Sequence, residues 1–307
     1  MIEDAEALLL AAQDADGAWR DYALEPGRSD AWTTAVVATA LVAPPVLPEA
    51  VPAIARACAF LHASRRHDGW GYNAQTASDA DTTAWTLTLL AAADDLRGVD
   101  PVALLAPRID AGGGAHTFAG GRFGSWSQEH PEVTAVVGSL LFEQGAGPGV
   151  IARISATQQP DGAWPAFWWT DDAYVTARSL LTLRQAGTLT REAARLGRDW
   201  LARRLARPAT AFGEAHLVLA ASALDDEALV ERATRRLLAR REPDGGWPSS
   251  RTLLVPAQHG LPHAGVAFAD DRRLMTTAVA VSALKEARRV GSARRWCSET
   301  DLTASAW

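Results

Sequence analysis

Two short patterns alternate along this chain, and their recurrence limits its fold more than any other feature. The first is a turn: Gln13 to Trp19 (QDADGAW), Arg65 to Trp70 (RRHDGW), Gly120 to Trp126 (GGRFGSW), Gln158 to Trp164 (QQPDGAW) and Arg241 to Trp247 (REPDGGW). The second is a helix start: Ala31 to Leu41 (AWTTAVVATAL), Ala80 to Leu90 (ADTTAWTLTLL), Pro131 to Leu141 (PEVTAVVGSLL), Ala173 to Leu183 (AYVTARSLLTL) and Leu274 to Leu284 (LMTTAVAVSAL). A degenerate copy, Glu214 to Leu224 (EAHLVLAASAL), follows a joint near Pro208 that has lost its Asp-Gly-Trp signal. The chain therefore reads as six units of roughly 40 to 60 residues.

Each unit holds two helical segments. The segment before the turn is amphipathic, as in AARLGRDWLARRL and EALVERATRRLLARR, with an Arg- and Glu-rich face suited to the outside. The segment after the turn is apolar nearly all round, which marks a buried helix. Neither the first nor the last unit carries the polar cap of an open solenoid, so the array is expected to close on itself. The expected fold is all-α: a single (α/α)6 barrel, or toroid, over residues 1–290. An irregular insertion is expected at 248–269 and a polar tail at 291–307.

The net charge is −6, which disfavours a partner held by nucleic-acid phosphates. No apolar run approaches the roughly 18 residues of a membrane span. The acidic start, MIEDAEALLL, is unlike a signal peptide. The two cysteines, Cys58 and Cys297, lie far apart in unlike contexts and form no disulfide framework, so a cytoplasmic setting is expected. Trp outnumbers Tyr by 12 to 3, an excess that calls for a physical reason.

The turn supplies part of that reason. Asp-Gly tolerates positive φ, Gln can satisfy orphan helix carbonyls, and Trp adds stacking area. Gln13/Asp16/Gly17/Trp19 and Gln158/Asp161/Gly162/Trp164 match Gln-x-x-Asp-Gly-x-Trp in full. Asp244/Gly245/Trp247 has Arg241 for Gln, Asp68/Gly69/Trp70 is one residue short, and Gly124/Trp126 keeps only the end. This pattern resembles the QW repeat of squalene–hopene cyclases, oxidosqualene cyclases and other class II terpene cyclases, in which it is structural. Five of the twelve Trp are thereby assigned to packing.

Ser78 to Trp85 (SDADTTAW) resembles the DxDDTA signature of the same family, whose middle Asp protonates an alkene or epoxide. Asp79 takes the first position, Asp81 the middle and Ala84 the last. Thr82 stands where the family usually has a third carboxylate. Aligning the six helix starts separates the two acids. The Asp79 column reads Asp30, Asp79, His130, Asp172, Gly213, Arg273, and suits helix N-caps at Asp30, Asp79 and Asp172. The Asp81 column reads Trp32, Asp81, Glu132, Tyr174, Ala215, Met275, mixing acids with aromatics at the mouths of the inner helices.

Protonating a carbon–carbon double bond needs an acid kept neutral by burial and a cation held by aromatic faces. The candidate catalytic residues are thus Asp81, Asp79 and Glu132, with Glu132 as second acid, terminal base or solvated first-turn carboxylate. Trp32, Trp85, Phe167, Trp168, Trp169 and Tyr174 are candidates for lining an isoprenoid cavity. His130 and His216 are placed near the rim. Arg251, Arg272 and Arg273 are candidate diphosphate ligands or solvated surface.

No metal site is expected: His259 and His263 are split by Pro262, and neither cysteine sits where the zinc of the related protein prenyltransferases would need it. No cofactor is expected either, except Mg2+ if the substrate is a diphosphate. The function implied is protonation-initiated isoprenoid cyclisation by an Asp general acid. The alternative is a non-catalytic toroid binding an isoprenoid or a protein partner. The single toroid leaves an open mouth, to be covered by the insertion, the tail, a second copy or a partner protein. Peripheral membrane contact is compatible with an apolar substrate.

Overall fold

The computed structural model of the chain describes residues 2–258 and 265–304, from 292 onward by backbone alone. The outer helices are α1 (Ile2–Ala11), α3 (Ala50–Ser64), α5 (Pro101–Leu105), α7 (Pro148–Ala156), α9 (Arg191–Arg204) and α11 (Glu227–Leu238). The inner helices are α2 (Ala31–Val42), α4 (Ala80–Ala92), α6 (Pro131–Glu143), α8 (Ala173–Gln185), α10 (Ala211–Ala223) and α12 (Leu274–Ala304). Each inner helix packs on the next, and α12 packs back onto α2, so the ring closes. The chain is an α/α toroid, as the repeats require. Every residue of α10 is buried, whereas α9 buries only Gly197, Trp200 and Leu201, which is the inner–outer contrast read from the sequence.

The turns staple neighbouring units. The indole N–H groups of Trp19, Trp70, Trp164 and Trp247 donate to the carbonyls of Leu9, Leu61, Ile154 and Leu237 near the ends of their own outer helices. Their backbone N–H groups donate to Thr34, Thr83, Thr176 and Thr277 on the following inner helix. The Gln158 amide donates to the Gly162 carbonyl and to that of Ala193 in the first turn of the next outer helix, tying the turn to its neighbour. Gly162 is at φ +89°, and a Cβ on it would lie 2.1 Å from the Leu196 carbonyl oxygen, so only glycine fits.

Three expectations need correction. The third turn is Asp110 to Ala115, not Gly120 to Trp126: Ala115 makes the backbone bond to Thr134 that a Trp makes elsewhere, and Asp110 accepts from Gly112 and Gly114. Trp126 instead sits in a 3-10 turn and donates to the Pro256 carbonyl. Only four Trp therefore serve the turns. Second, α10 begins three residues early, capped by Thr210, so Phe212 and not Ala215 shares the level of Asp81. Third, the 248–269 insertion is not irregular. It contains an antiparallel hairpin, β3 (Arg251–Pro256) and β4 (Gly265–Ala269). The Leu254 N–H donates to the Trp168 carbonyl and the Thr170 N–H to that of Thr252, so the 168–170 segment bonds the edge of β3 away from β4 and docks the hairpin on the ring.

A second small hairpin joins β1 (Asp21–Leu24) to β2 (Gly27–Ser29). Beyond Gly291 the backbone of α12 remains helical to Ala304, where a polar tail was expected. His259 and His263 lie outside the described residues, as does the Cys297 side chain.

Candidate active site

Asp79 and Asp81 enter the ring at the N-terminus of α4 in different roles. Asp79 is the N-cap: one oxygen accepts the Thr82 N–H at 2.7 Å, the other the Thr82 hydroxyl at 2.9 Å. The Thr in place of a third carboxylate thus holds the first. Burial raises the Asp79 carboxyl to about 6. Asp30 also precedes α2 but accepts from the adjacent Ala31 N–H, and Asp172 does not cap α8, accepting from Ala166 instead.

Asp81, two residues further on, lines a cavity of about 390 Å³, and its Oδ1 is buried with no hydrogen-bond partner. Burial holds its proton well above the usual carboxylate range, reinforced by repulsion from Asp79 and Glu132. Glu132, on the next inner helix, is 2% exposed, which corrects its reading as a solvated first-turn carboxylate. Its Oε1 accepts the N–H groups of Phe167 and Trp168 at 2.9 and 2.6 Å. Its Oε2 is unpartnered. Burial raises its pKa, and the two backbone bonds oppose that rise.

Most of the remaining wall is apolar. Trp32, Trp168 and Trp169 line the cavity, joined by Trp126, Tyr72 and Phe118. The β3–β4 hairpin contributes Leu253, Val255, Val266 and Phe268, and the turn between β1 and β2 contributes Glu25 and Pro26. No Lys or Arg among the described residues lines the cavity. Arg272 and Arg273 are engaged elsewhere, Arg272 with backbone carbonyls and Asp14, Arg273 with Glu242 and Asp244. Arg251 donates to the Ala267 carbonyl. Among the described residues no group of three or more His, Cys, Asp or Glu side chains could hold a metal ion, and no helix is long and apolar enough to cross a membrane.

Several solved structures share this arrangement. The type II terpene cyclase MstE from Scytonema superposes with a TM-score of 0.84 at 26% identity, over 94% of this chain and 97% of that one. The chain is a class II terpene cyclase-like toroid. A protein from Actinoplanes matches equally well, with TM-score 0.83, 26% identity and 94% and 98% of the two chains. The ent-copalyl diphosphate synthase from Streptomyces platensis shares the fold at 20% identity and TM-score 0.60, over 84% of this chain and half of its own. MstE has also been solved with geranylgeranyl dihydroxybenzoate, its substrate, and with merosterolic acid A, its product. No protein-family model and no curated protein matches the sequence.

Within this terpene cyclase-like toroid the remaining predicted aromatics lie behind the cavity wall. Trp169 stacks on Tyr174 at 4.5 Å, and the Trp85 indole donates to the Tyr174 hydroxyl at 3.3 Å. Phe167 stacks on His130 at 3.9 Å. Two residues of this layer escaped the sequence reading. Phe212, hidden by the register of α10, stacks on Trp169 at 4.7 Å. Arg178 lies one turn below Tyr174, its guanidinium 4.5 Å from the Trp85 ring and 5.7 Å from that of Tyr174, with Nε unpartnered. An Arg inside an otherwise apolar inner helix was the signal for it. His216 packs edgewise on Phe212 and Tyr174, and burial lowers it to about 3.

Proposed function

We propose that this chain is a class II-type terpene cyclase that opens the reaction by protonating an alkene of a prenyl chain from Asp81. The observation that carries the reading is the buried, unpartnered Oδ1 of Asp81 on the wall of an aromatic cavity. Burial and the neighbouring carboxylates favour the neutral carboxyl there, and Oδ1 has no competing partner. On transfer, the proton bonds to one alkene carbon and a carbocation forms at the other. Trp32, Trp168 and Trp169 present ring faces to that charge. Arg178, stacked on Trp85 and Tyr174 beneath the acid, favours the carboxylate left behind. The apolar hairpin wall keeps water from the cation.

The chemistry needs no cofactor, because the only reagent is the proton of Asp81. The lack of a basic residue on the described wall favours a substrate whose head is aromatic or neutral over a diphosphate. The MstE complex with a prenylated benzoate supports the same choice. The purified protein is to be incubated with geranylgeranyl dihydroxybenzoate, farnesyl and geranylgeranyl diphosphates and squalene, with products read by mass spectrometry. Cyclised product is expected from the prenylated aromatic. Asp81→Asn is expected to lower its rate by at least about 10²–10⁴-fold. Unchanged turnover in that variant refutes the acid assignment. Binding without product from any of the four establishes the binding toroid instead.

A further inference from the structure

The groups just described start a cyclisation but do not say what ends it. A carbocation is quenched by losing a proton to a base or by adding water. The cavity wall contains a neutral hydrogen-bonded pair suited to the first outcome. Thr117 is 5% exposed and lines the cavity; His130 behind it is 2% exposed. Thr117 Oγ1 lies 2.7 Å from His130 Nδ1. His130 Nε2 lies 3.1 Å from the Ser125 carbonyl oxygen, which can only accept, so Nε2 carries the ring proton. Nδ1 is then a lone pair, and the Thr117 hydroxyl donates to it. The Trp168 indole N–H lies 3.1 Å from the same hydroxyl oxygen and 3.3 Å from Nδ1; donating to the nearer oxygen, it leaves the Nδ1 lone pair to the Thr117 hydroxyl. Phe167 stacks on the imidazole and fixes its plane.

We propose that Thr117 and His130 form a relay that removes the terminal proton of the cyclised cation; the assignment rests on the cyclase reading above. The carbon–hydrogen bond beside the cationic carbon breaks, and its electron pair becomes the new double bond. The proton goes to Thr117 Oγ1 as the Thr117 hydroxyl proton passes to His130 Nδ1. Threonine is regenerated and His130 becomes imidazolium, held by the Ser125 carbonyl and Thr117. Asp81 carboxylate and His130 imidazolium then balance in charge, and both reset by exchange with water when product leaves.

Burial lowers His130 to about 3, so the imidazole is unprotonated near neutral pH. A base so weak still suffices, because a proton beside a carbocation is a far stronger acid. Glu132 is less suited: one oxygen anchors the Phe167–Trp168 backbone, and its charge is among those that hold the proton on Asp81.

The test uses the full chain and geranylgeranyl dihydroxybenzoate. Thr117→Val keeps the shape and removes the hydroxyl. Among the products it forms, the ratio of alkene to water-captured alcohol is expected to fall about tenfold or more. Thr117→Ser is expected to restore the wild-type ratio. An unchanged ratio in Thr117→Val, or a shift confined to Glu132→Gln, overturns the relay. A wild-type chain that converts no prenyl substrate overturns the cyclase reading itself and the relay with it. Nitrogen NMR of the imidazoles gives a readout independent of turnover: His130 neutral with its proton on Nε2 at neutral pH supports the relay, and a proton on Nδ1 overturns it.

Discussion

Asp81 illustrates how one carboxyl can be useful and costly at once. In the unfolded chain it ionises near its ordinary value of about 4. Folded, burial and the charges of Asp79 and Glu132 raise it well above that. The folded state therefore binds a proton that the unfolded state has released, and the stability this group contributes is present below about pH 4 and lost as pH rises. His130 and His216, lowered by burial, act in the opposite sense, so the comparison must be made between variants. Asp81→Asn is expected to melt like wild type near pH 4 and at higher temperature near pH 7, the difference growing with pH. Equal melting temperatures at both pH values would mean that Asp81 is ionised in the folded chain.

Asp79 sets the other end of this coupling. Above about 6 it is an anion and helps keep the proton on Asp81. Asp79→Asn preserves a good N-cap but removes the charge. The falling limb of the pH–rate profile is expected to move to lower pH in that variant, and a limb that stays in place contradicts the coupling.

At the scale of the element, the turn is where the sequence speaks most plainly. Gly162 cannot accept a side chain, because positive φ and the Leu196 carbonyl both exclude one. Gly162→Ala is expected to cost at least about 1–3 kcal/mol in denaturant unfolding, while the same change at Gly98, where a Cβ meets nothing, costs no more than its φ strain. The fold was legible because four such turns carry their Trp. The third did not yield to the same reading because Ala115 does the backbone work of a Trp, while a decoy Gly-x-Trp follows ten residues later. The positions of Trp32, Asp81 and Glu132 on the cavity wall were legible from their shared column, and those of Trp168 and Trp169 from their crowding near it. Phe212 was not, because α10 opens with Thr210 and offers no Asp to align on. The β3–β4 hairpin was hidden because its strands show no regular polar–apolar alternation and their register shifts between Arg251 and Leu253.

On the scale of the whole molecule, the ring must be fastened where its last unit meets its first. The Arg241 guanidinium reaches Asp4 of α1 at 2.6 Å, taking the place of the Gln clasp found elsewhere. Lys285, the only lysine in the chain, lies buried in α12 and pairs with buried Glu6 of α1 at 2.8 Å. It also donates to the carbonyls of Ala40 and Ala43 at the end of α2. Lys285→Met leaves Glu6 buried without its counter-charge and is expected to cost about 3–5 kcal/mol. Calorimetry should show the loss, and Glu6→Gln combined with Lys285→Met should recover part of it. A destabilisation below about 1 kcal/mol would mean that the seam is held by apolar packing alone.

Once fastened, the ring turns its six inner helices into spokes that each set one side chain at the same level, Trp32, Asp81, Glu132, Tyr174, Phe212 and Met275, each second from its helix start; the first three line the cavity, and Tyr174 and Phe212 stack on Trp169 behind it. The spokes are braced from outside by turns that never touch the cavity. A change of residue on one spoke therefore leaves five others and the frame in register. Such a frame allows the acid, the anion and the aromatic faces to be exchanged one at a time, so that new chemistry can arise on it without a new fold.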